Sequence, residues 1–204
     1  MAMMNGAQFL AQTLAAYDVS HVFFVPAVLT PALAEMERVG VKPIMAHSEK
    51  SAAYMADGYA RMRGGPGVCF AQSVGAANLA AGLQDAYLAL SPVVAITGRR
   101  PPEWRYRHSY QEIQHMPLYE PVTKYNVQAD SIGELPSLLR QAFRAAVSGA
   151  PAPTHVEIPG ISGDVLINTE ADLDVFADER FKSVPPFRSF PDPSDIGALA
   201  DLLA

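Results

Sequence analysis

Short runs of uninterrupted apolar residues, separated by stretches with helical spacing, most narrow what this chain can fold into. Val22-Phe23-Phe24-Val25, Gly67-Val68-Cys69-Phe70-Ala71 and Val93-Val94-Ala95-Ile96 lack the in-out alternation of a half-exposed strand. Such runs indicate strands buried on both faces, as in parallel sheets covered by helices. The pattern predicts helix over 6–16, strand over 21–25, helix over 31–39, strand over 43–46 and a helix opened by Glu49. After the turn Arg63-Gly64-Gly65-Pro66 come strand 67–71, helix 75–88 and strand 92–97. A less regular stretch follows over 98–121, then strand 122–127, helix 132–148 and strand 154–158. The expected class is α/β, a doubly wound, mostly parallel six-stranded sheet with helices on both faces.

With 204 residues, half of them hydrophobic, the chain exceeds the commonest single-domain length of roughly 100–150 residues. The expected organisation is one domain over 1–160, a Pro-rich linker over 161–191, and over 192–204 the first helix of a truncated central domain. That helix is read with Ser194 as its N-cap and Ile196, Leu199 and Leu203 on one face. A net charge of -6 with 15 scattered cationic side chains argues against a nucleic-acid surface. The single cysteine, Cys69, lies inside an apolar run, which excludes an internal disulfide framework and suits a reducing compartment. No apolar run approaches the ~20 residues needed to span a bilayer and the start lacks a signal peptide's features, so a cytoplasmic protein without membrane contact is expected.

Open α/β sheets bind ligands beyond the carboxyl ends of their strands, which singles out Pro26-Ala27-Val28, Glu49, Gln72-Ser73-Val74-Gly75 and the loop carrying Gln111. Glu49 is the most pointed of these, a lone acid opening the small, apolar helix Glu49-Lys50-Ser51-Ala52-Ala53-Tyr54-Met55-Ala56. Glu49, Ala52, Ala53 and Ala56 share one face, and the methyl stripe lets the backbone approach another layer closely. In a dry setting an acid holds or shares its proton more readily; an acid in a helix's first turn is also explained by the macrodipole alone. Ser73 and Gly75 fit either an anion-facing turn or any tight entry into a helix. Asn78 reads equally as a ligand contact or a capping neighbour. Gln111 offers a neutral donor and acceptor on a long loop.

Other chemistries fail on spacing. No Gly-rich dinucleotide fingerprint follows the first apolar strand, and no phosphate-loop lysine motif is present. The histidines His21, His47, His108, His115 and His155 share no metal-ligand spacing, so no metal site is expected, and Ser73 lies in no nucleophile elbow. His47 fits a second acid or base, or a strand-end histidine.

The ordered set of motifs over residues 5–159 resembles the N-terminal pyrimidine-binding domain of thiamine-diphosphate-dependent enzymes, most closely the acetolactate synthase-like branch. The residues that carry it are Val22-Phe23-Phe24-Val25-Pro26, the run from Glu49 through Ala56-Asp57-Gly58-Tyr59-Ala60-Arg61, and Ala77-Asn78-Leu79 with Asp85-Ala86-Tyr87. Pro92 to Gly98, Tyr110-Gln111-Glu112 and Pro121-Val122-Thr123-Lys124 complete the set. The resemblance implies that Glu49 binds the pyrimidine ring nitrogen of thiamine diphosphate and promotes its activation, that Gln111 lies close to the reacting centre, and that Pro26, Ala27, Ser73, Gly75 and Asn78 line the cofactor site. It implies a 2-oxo acid substrate, decarboxylation or carboligation, and at least a dimer in the complete enzyme.

Departures from the family pattern fall in that pocket. The family's Pro-Gly-Gly is here Pro26-Ala27-Val28, its Ser-Gly-Pro-Gly turn is shortened to Ser73-Val74-Gly75, and its histidine before the glutamate is Ser48. The family's Gly-Asp-Gly motif, which holds magnesium and diphosphate on a separate domain, has no counterpart. Gly163-Asp164-Val165 reads as a linker turn. The expectation is therefore an N-terminal part of such an enzyme, inactive until a diphosphate-binding domain is supplied; the alternative is a non-catalytic binding or assembly subunit that pairs with an intact homologue. FAD, carried by some members of the branch, stays open but unsupported, since facing solvent accounts for Arg99 and Arg100 as well as binding does.

Overall fold

The computed structural model describes residues 2–26, 29–160 and 164–204, with the side chains of Asp164 and Val165 left aside. In chain order its elements are β1 (Ala2–Asn5), α1 (Gly6–Ala16), β2 (His21–Phe24), α2 (Thr30–Arg38), β3 (Lys42–Met45), α3 (Glu49–Arg63), β4 (Gly67–Gln72) and α4 (Gly75–Leu88). There follow β5 (Val93–Arg99), α5 (His115–Tyr119), β6 (Tyr125–Gln128), α6 (Leu135–Val147), β7 (Thr154–Pro159), α7 (Asp164–Ile167), β8 (Glu170–Leu173) and α8 (Pro193–Leu203). Six of the strands form one all-parallel sheet in the order β3-β2-β4-β5-β7-β6. The chain winds outward to β3 and then crosses back over β2 to β4, so the strand order reverses between β2 and β4. A crevice at such a reversal is where open α/β sheets seat ligands.

The apolar strands are buried on both faces, as their composition requires. Val68, Phe70, Val94 and Ile96 point into a layer built with α1, α2 and α6, whereas Cys69, Ala71, Val93 and Ala95 point into one built with α3, α4 and α5. The first layer holds bulky side chains such as Phe9, Leu14, Tyr17 and Phe143; the second is largely alanine, so its helices ride close to the sheet. The Cys69 thiol is fully enclosed there, and burial pushes its pKa up.

Helix α6 is placed by apolar residues at helical spacing, with Leu135, Leu139, Ala142, Phe143, Ala146 and Val147 all buried. The Phe143 ring stacks on Tyr17, with ring centroids 4.0 Å apart. Phe143→Ala is expected to cost about 3–5 kcal/mol, read from the shift of a denaturant unfolding curve; a loss below about 1 kcal/mol would contradict the packing described.

Several expectations shift on contact with the structure. The strand expected over 122–127 begins only at Tyr125, because Glu120–Val122 continues α5 as a 3-10 turn and Thr123 Oγ1 donates to the Tyr119 carbonyl at 2.7 Å. Residues 164–184 carry more packed structure than their composition suggests. β8 pairs with β1 antiparallel, while Leu166, Ile167, Leu173 and Phe181 join the core layer of Phe9 and Phe143. The one-turn helix α7, strand β8 and a 3-10 turn each supply only one or two of these anchors, which leaves no periodicity to read. Gly163 of the Gly163-Asp164-Val165 turn lies outside the described residues. Helix α8 is capped by Asp192 rather than Ser194, since Asp192 Oδ1 accepts from the Ser194 N–H at 2.9 Å and Pro193 takes the first helical position. Among the described residues no helix is long and apolar enough to cross a membrane.

Candidate functional site

Helices α3 and α4 both begin at the carboxyl end of the sheet, beside the strand reversal. Ser48 caps α3, its Oγ accepting from the Ser51 N–H at 3.1 Å, and this sets Glu49 as the first helical residue. Ala52, Ala53 and Ala56 are fully buried. At Gly82 of α4 a β-carbon would fall 2.7 Å from the Ala53 Cβ and 2.8 Å from the Lys50 carbonyl oxygen, so the two helices approach as closely as glycine allows.

The same closeness at the helix starts places the Glu49 carboxylate against Gly75, where a β-carbon would stand 2.4 Å from Oε1 and 2.9 Å from Cδ. Asn78, one turn further along α4, donates from Nδ2 to Glu49 Oε2 at 3.2 Å. The carboxylate thus lies over the N-terminal turn of α4, whose free amide ends favour negative charge. The stripe beneath Glu49 is dry, as its alanines suggest, but the Glu49 side chain itself is only partly buried.

Ser73 and Gln111 form a second pair, joined to the first through the turn 73–75. Ser73 is buried with φ 30°, and its N–H donates to the Gly98 carbonyl at 2.6 Å, which commits that amide to the carboxyl end of the sheet. Its hydroxyl donates to the Gln111 main-chain carbonyl. Gln111 has φ 61°, in the left-handed region that side chains rarely adopt, so the Ser73 contact helps to hold an unfavourable backbone. The Gln111 amide Nε2 donates to the Tyr110 hydroxyl at 3.0 Å, whereas its Oε1 is buried without a hydrogen-bond partner among the described residues. Pro26 is exposed at the end of β2, and Ala27 and Val28 lie outside the described residues.

Beside the turn lies a buried polar cluster that sequence reasoning missed. Arg99 does not face solvent: it is 4% exposed, with Nε 3.1 Å from Glu157 Oε2, in ion-pair range but not aligned for a hydrogen bond, and its guanidinium also reaches Asp130. His115 Nδ1 stands 3.1 Å from Glu157 Oε1 and 3.0 Å from Thr97 Oγ1, and its Nε2 stands 2.9 Å from the Ser73 carbonyl oxygen. Thr97 Oγ1 is also 2.7 Å from His155 Nε2, and Tyr119 stacks on the His155 ring at 3.7 Å. Burial drives the Tyr119 phenol pKa well above its usual range, reinforced by Cys69, Glu157 and Glu49. Burial and the neighbouring His115 drive the His155 pKa well below the usual range.

One signal could have flagged this cluster: Thr97 with Arg99 and His155 with Glu157 are each spaced two apart in strands otherwise mostly apolar. Residues so spaced share a face. A pocket of about 130 Å³ opens over it, lined by Arg99, Arg100, His115, Gln128 and Glu157 among others. His47 is exposed at the end of β3, and among the described residues no group of His, Cys, Asp or Glu is arranged to hold a metal ion.

Residues 4–118 match the family described as thiamine pyrophosphate enzyme, N-terminal TPP binding domain. The chain is 36% identical over 169 residues to a probable acetolactate synthase large subunit of Methanocaldococcus jannaschii, covering 82% of this chain and 29% of that protein. It is 40% identical over 158 residues to the acetolactate synthase isozyme 2 large subunit of Escherichia coli, covering 76% and 29%. To the acetolactate synthase of Bacillus subtilis it is 32% identical over 168 residues, covering 81% and 30%. The chain therefore spans less than a third of the length of these curated relatives.

Proposed function

Because this chain belongs to the thiamine pyrophosphate enzyme family, as an N-terminal TPP binding domain, we propose that it holds the pyrimidine half of thiamine diphosphate in an acetolactate synthase-like decarboxylase or carboligase acting on a 2-oxo acid. The observation that carries this reading is the Glu49 carboxylate, fixed at the crevice by Asn78 and by the side-chain-free surface of Gly75. The residues present fit the group. Glu49 is an acceptor that can share a proton with a ring nitrogen, and the unpartnered Gln111 Oε1 suits a ligand bearing N–H donors.

Thiamine diphosphate, when bound, supplies the carbon nucleophile and the electron sink for chemistry at the 2-oxo group. In this reading Glu49 holds or shares the proton at the pyrimidine nitrogen, Asn78 orients the carboxylate, and Gly75 keeps the space above α4 open. Ser73 and Pro26 shape the rim, Ala27 follows Pro26 in sequence, and Gln111 faces the reacting centre. Magnesium and the diphosphate are assigned to a further domain, supplied by another chain or by further sequence, and the complete enzyme is expected to be oligomeric. Helix α8, with Ile196, Leu199, Leu202 and Leu203 more than half exposed, fits the first helix of a central domain that follows a linker. A cytoplasmic setting accords with the enclosed, unpaired Cys69.

The test is complementation. The 204-residue chain, given thiamine diphosphate, magnesium and pyruvate, is expected to show no decarboxylation, and to gain turnover when a relative's diphosphate-binding domain is added or fused. Turnover by the chain alone would overturn the division of the site proposed here.

A further inference from the structure

Thr97, His115, His155 and Glu157 are close enough that their hydrogens can be counted. Asn126 donates from Nδ2 to the Met116 carbonyl at 2.8 Å, which turns its Oδ1, an acceptor, toward His155 Nδ1 at 2.7 Å. His155 therefore carries its hydrogen on Nδ1. Its ring is fully buried against Tyr119 and beside His115, so Nε2 stays bare and accepts the Thr97 hydroxyl hydrogen at 2.7 Å. Thr97 has no second hydrogen to give, so at 3.0 Å it can only accept from His115 Nδ1. That same nitrogen stands 3.1 Å from the Glu157 carboxylate. The other His115 nitrogen, Nε2, faces the Ser73 carbonyl at 2.9 Å, which also only accepts.

We propose that His115 carries a hydrogen on both ring nitrogens, as an imidazolium paired with Glu157, and that it is the positioning residue that locks the Ser73 turn and, through it, Gln111 and Gly75. Glu157 on β7 lies between His115 and the Arg99 guanidinium of β5, Asp130 takes the outer side of Arg99, and burial disfavours the charged forms of the other two rings against it, His155 and Tyr119. Arg100, Arg105 and Glu112 line the pocket over the same cluster. A buried carboxylate held between two cations has its charge compensated from both sides, and removing one partner leaves an uncompensated charge. The ring thereby ties the carboxyl ends of β4, β5 and β7 together behind the Glu49 crevice. The proposal rests on the cofactor reading only for the purpose of the turn, not for the ring's state.

The test uses the whole chain labelled with nitrogen-15 at histidine, without cofactor, near neutral pH. His115 is expected to give two hydrogen-bearing ring nitrogens and His155 a single one at Nδ1; a single hydrogen-bearing nitrogen at His115 would overturn the proposal. In Glu157→Gln the second His115 hydrogen is expected to be lost. His115→Gln keeps one donor but no charge, and in uniformly nitrogen-15-labelled chain is expected to displace the backbone amide signals of Ser73, Gly75 and Gln111 while those of α6 stay in place. Unmoved signals at Ser73 and Gln111 in that variant would also overturn it. None of these readouts depends on thiamine diphosphate, so a failure of cofactor binding would count against the proposed function alone.

Discussion

Glu49→Gln, in the chain complemented with a diphosphate-binding domain, is expected to lower turnover by on the order of 10²–10⁴-fold, the range for losing a positioned proton-transfer group. The variant keeps the shape of the side chain, and its remaining carbonyl oxygen can still accept from Asn78 at the position now held by Oε2. What it loses is the capacity to share a proton. Folding should barely register the change, since a partly exposed acid in a helix's first turn contributes only about 0.3–1 kcal/mol. Turnover and a thermal unfolding curve, measured side by side, separate the two effects. Near-normal turnover would sink the role assigned to Glu49.

Gly75→Ala is expected to reduce turnover about 100-fold, as misplacement of a reacting group by about 1 Å does, while leaving stability unchanged or slightly raised. The added methyl would stand 2.4 Å from Glu49 Oε1. The clashing atoms are the far end of a flexible side chain, so Glu49 swings away and its hydrogen bond with Asn78 breaks; the backbone has no need to move. Alanine also favours a helix by up to about 1 kcal/mol over glycine. Activity and stability moving in opposite directions is a result that general destabilisation cannot produce. Unchanged turnover, with the Asn78 side-chain amide signals in place, would show that the contact carries no function.

Much of this architecture was legible because burial on both faces leaves a direct mark on composition. Val68-Cys69-Phe70-Ala71 and Val93-Val94-Ala95-Ile96 read as covered strands whatever lies beside them, and all six parallel strands are present. Helix α4 has the bounds expected from Gly75 and Leu88. Other parts were silent. β1 has one buried residue in four and pairs with a strand more than 160 residues away, so its partner cannot be read locally. The anchors of residues 164–184 come one or two at a time from short elements, and Asp192 displaces Ser194 as cap because Pro193 sets the helix start two residues earlier.

At the site, the sequence by itself determined that a lone acid would open a small-residue helix, and that glycines and alanines would let the layer behind it close tightly. Those consequences follow from residue size and helical period alone. Only the tertiary structure decided that Glu49 meets Gly75 and Asn78, that the Ser73 hydroxyl grips the Gln111 backbone, and that Arg99 turns inward to Glu157. Each of these depends on strand register and on the distance between helices, which bring together residues as far apart in the chain as Ser73, His115 and Glu157. A buried polar side chain is tolerated only where such partners converge, and convergence is a property of the folded chain.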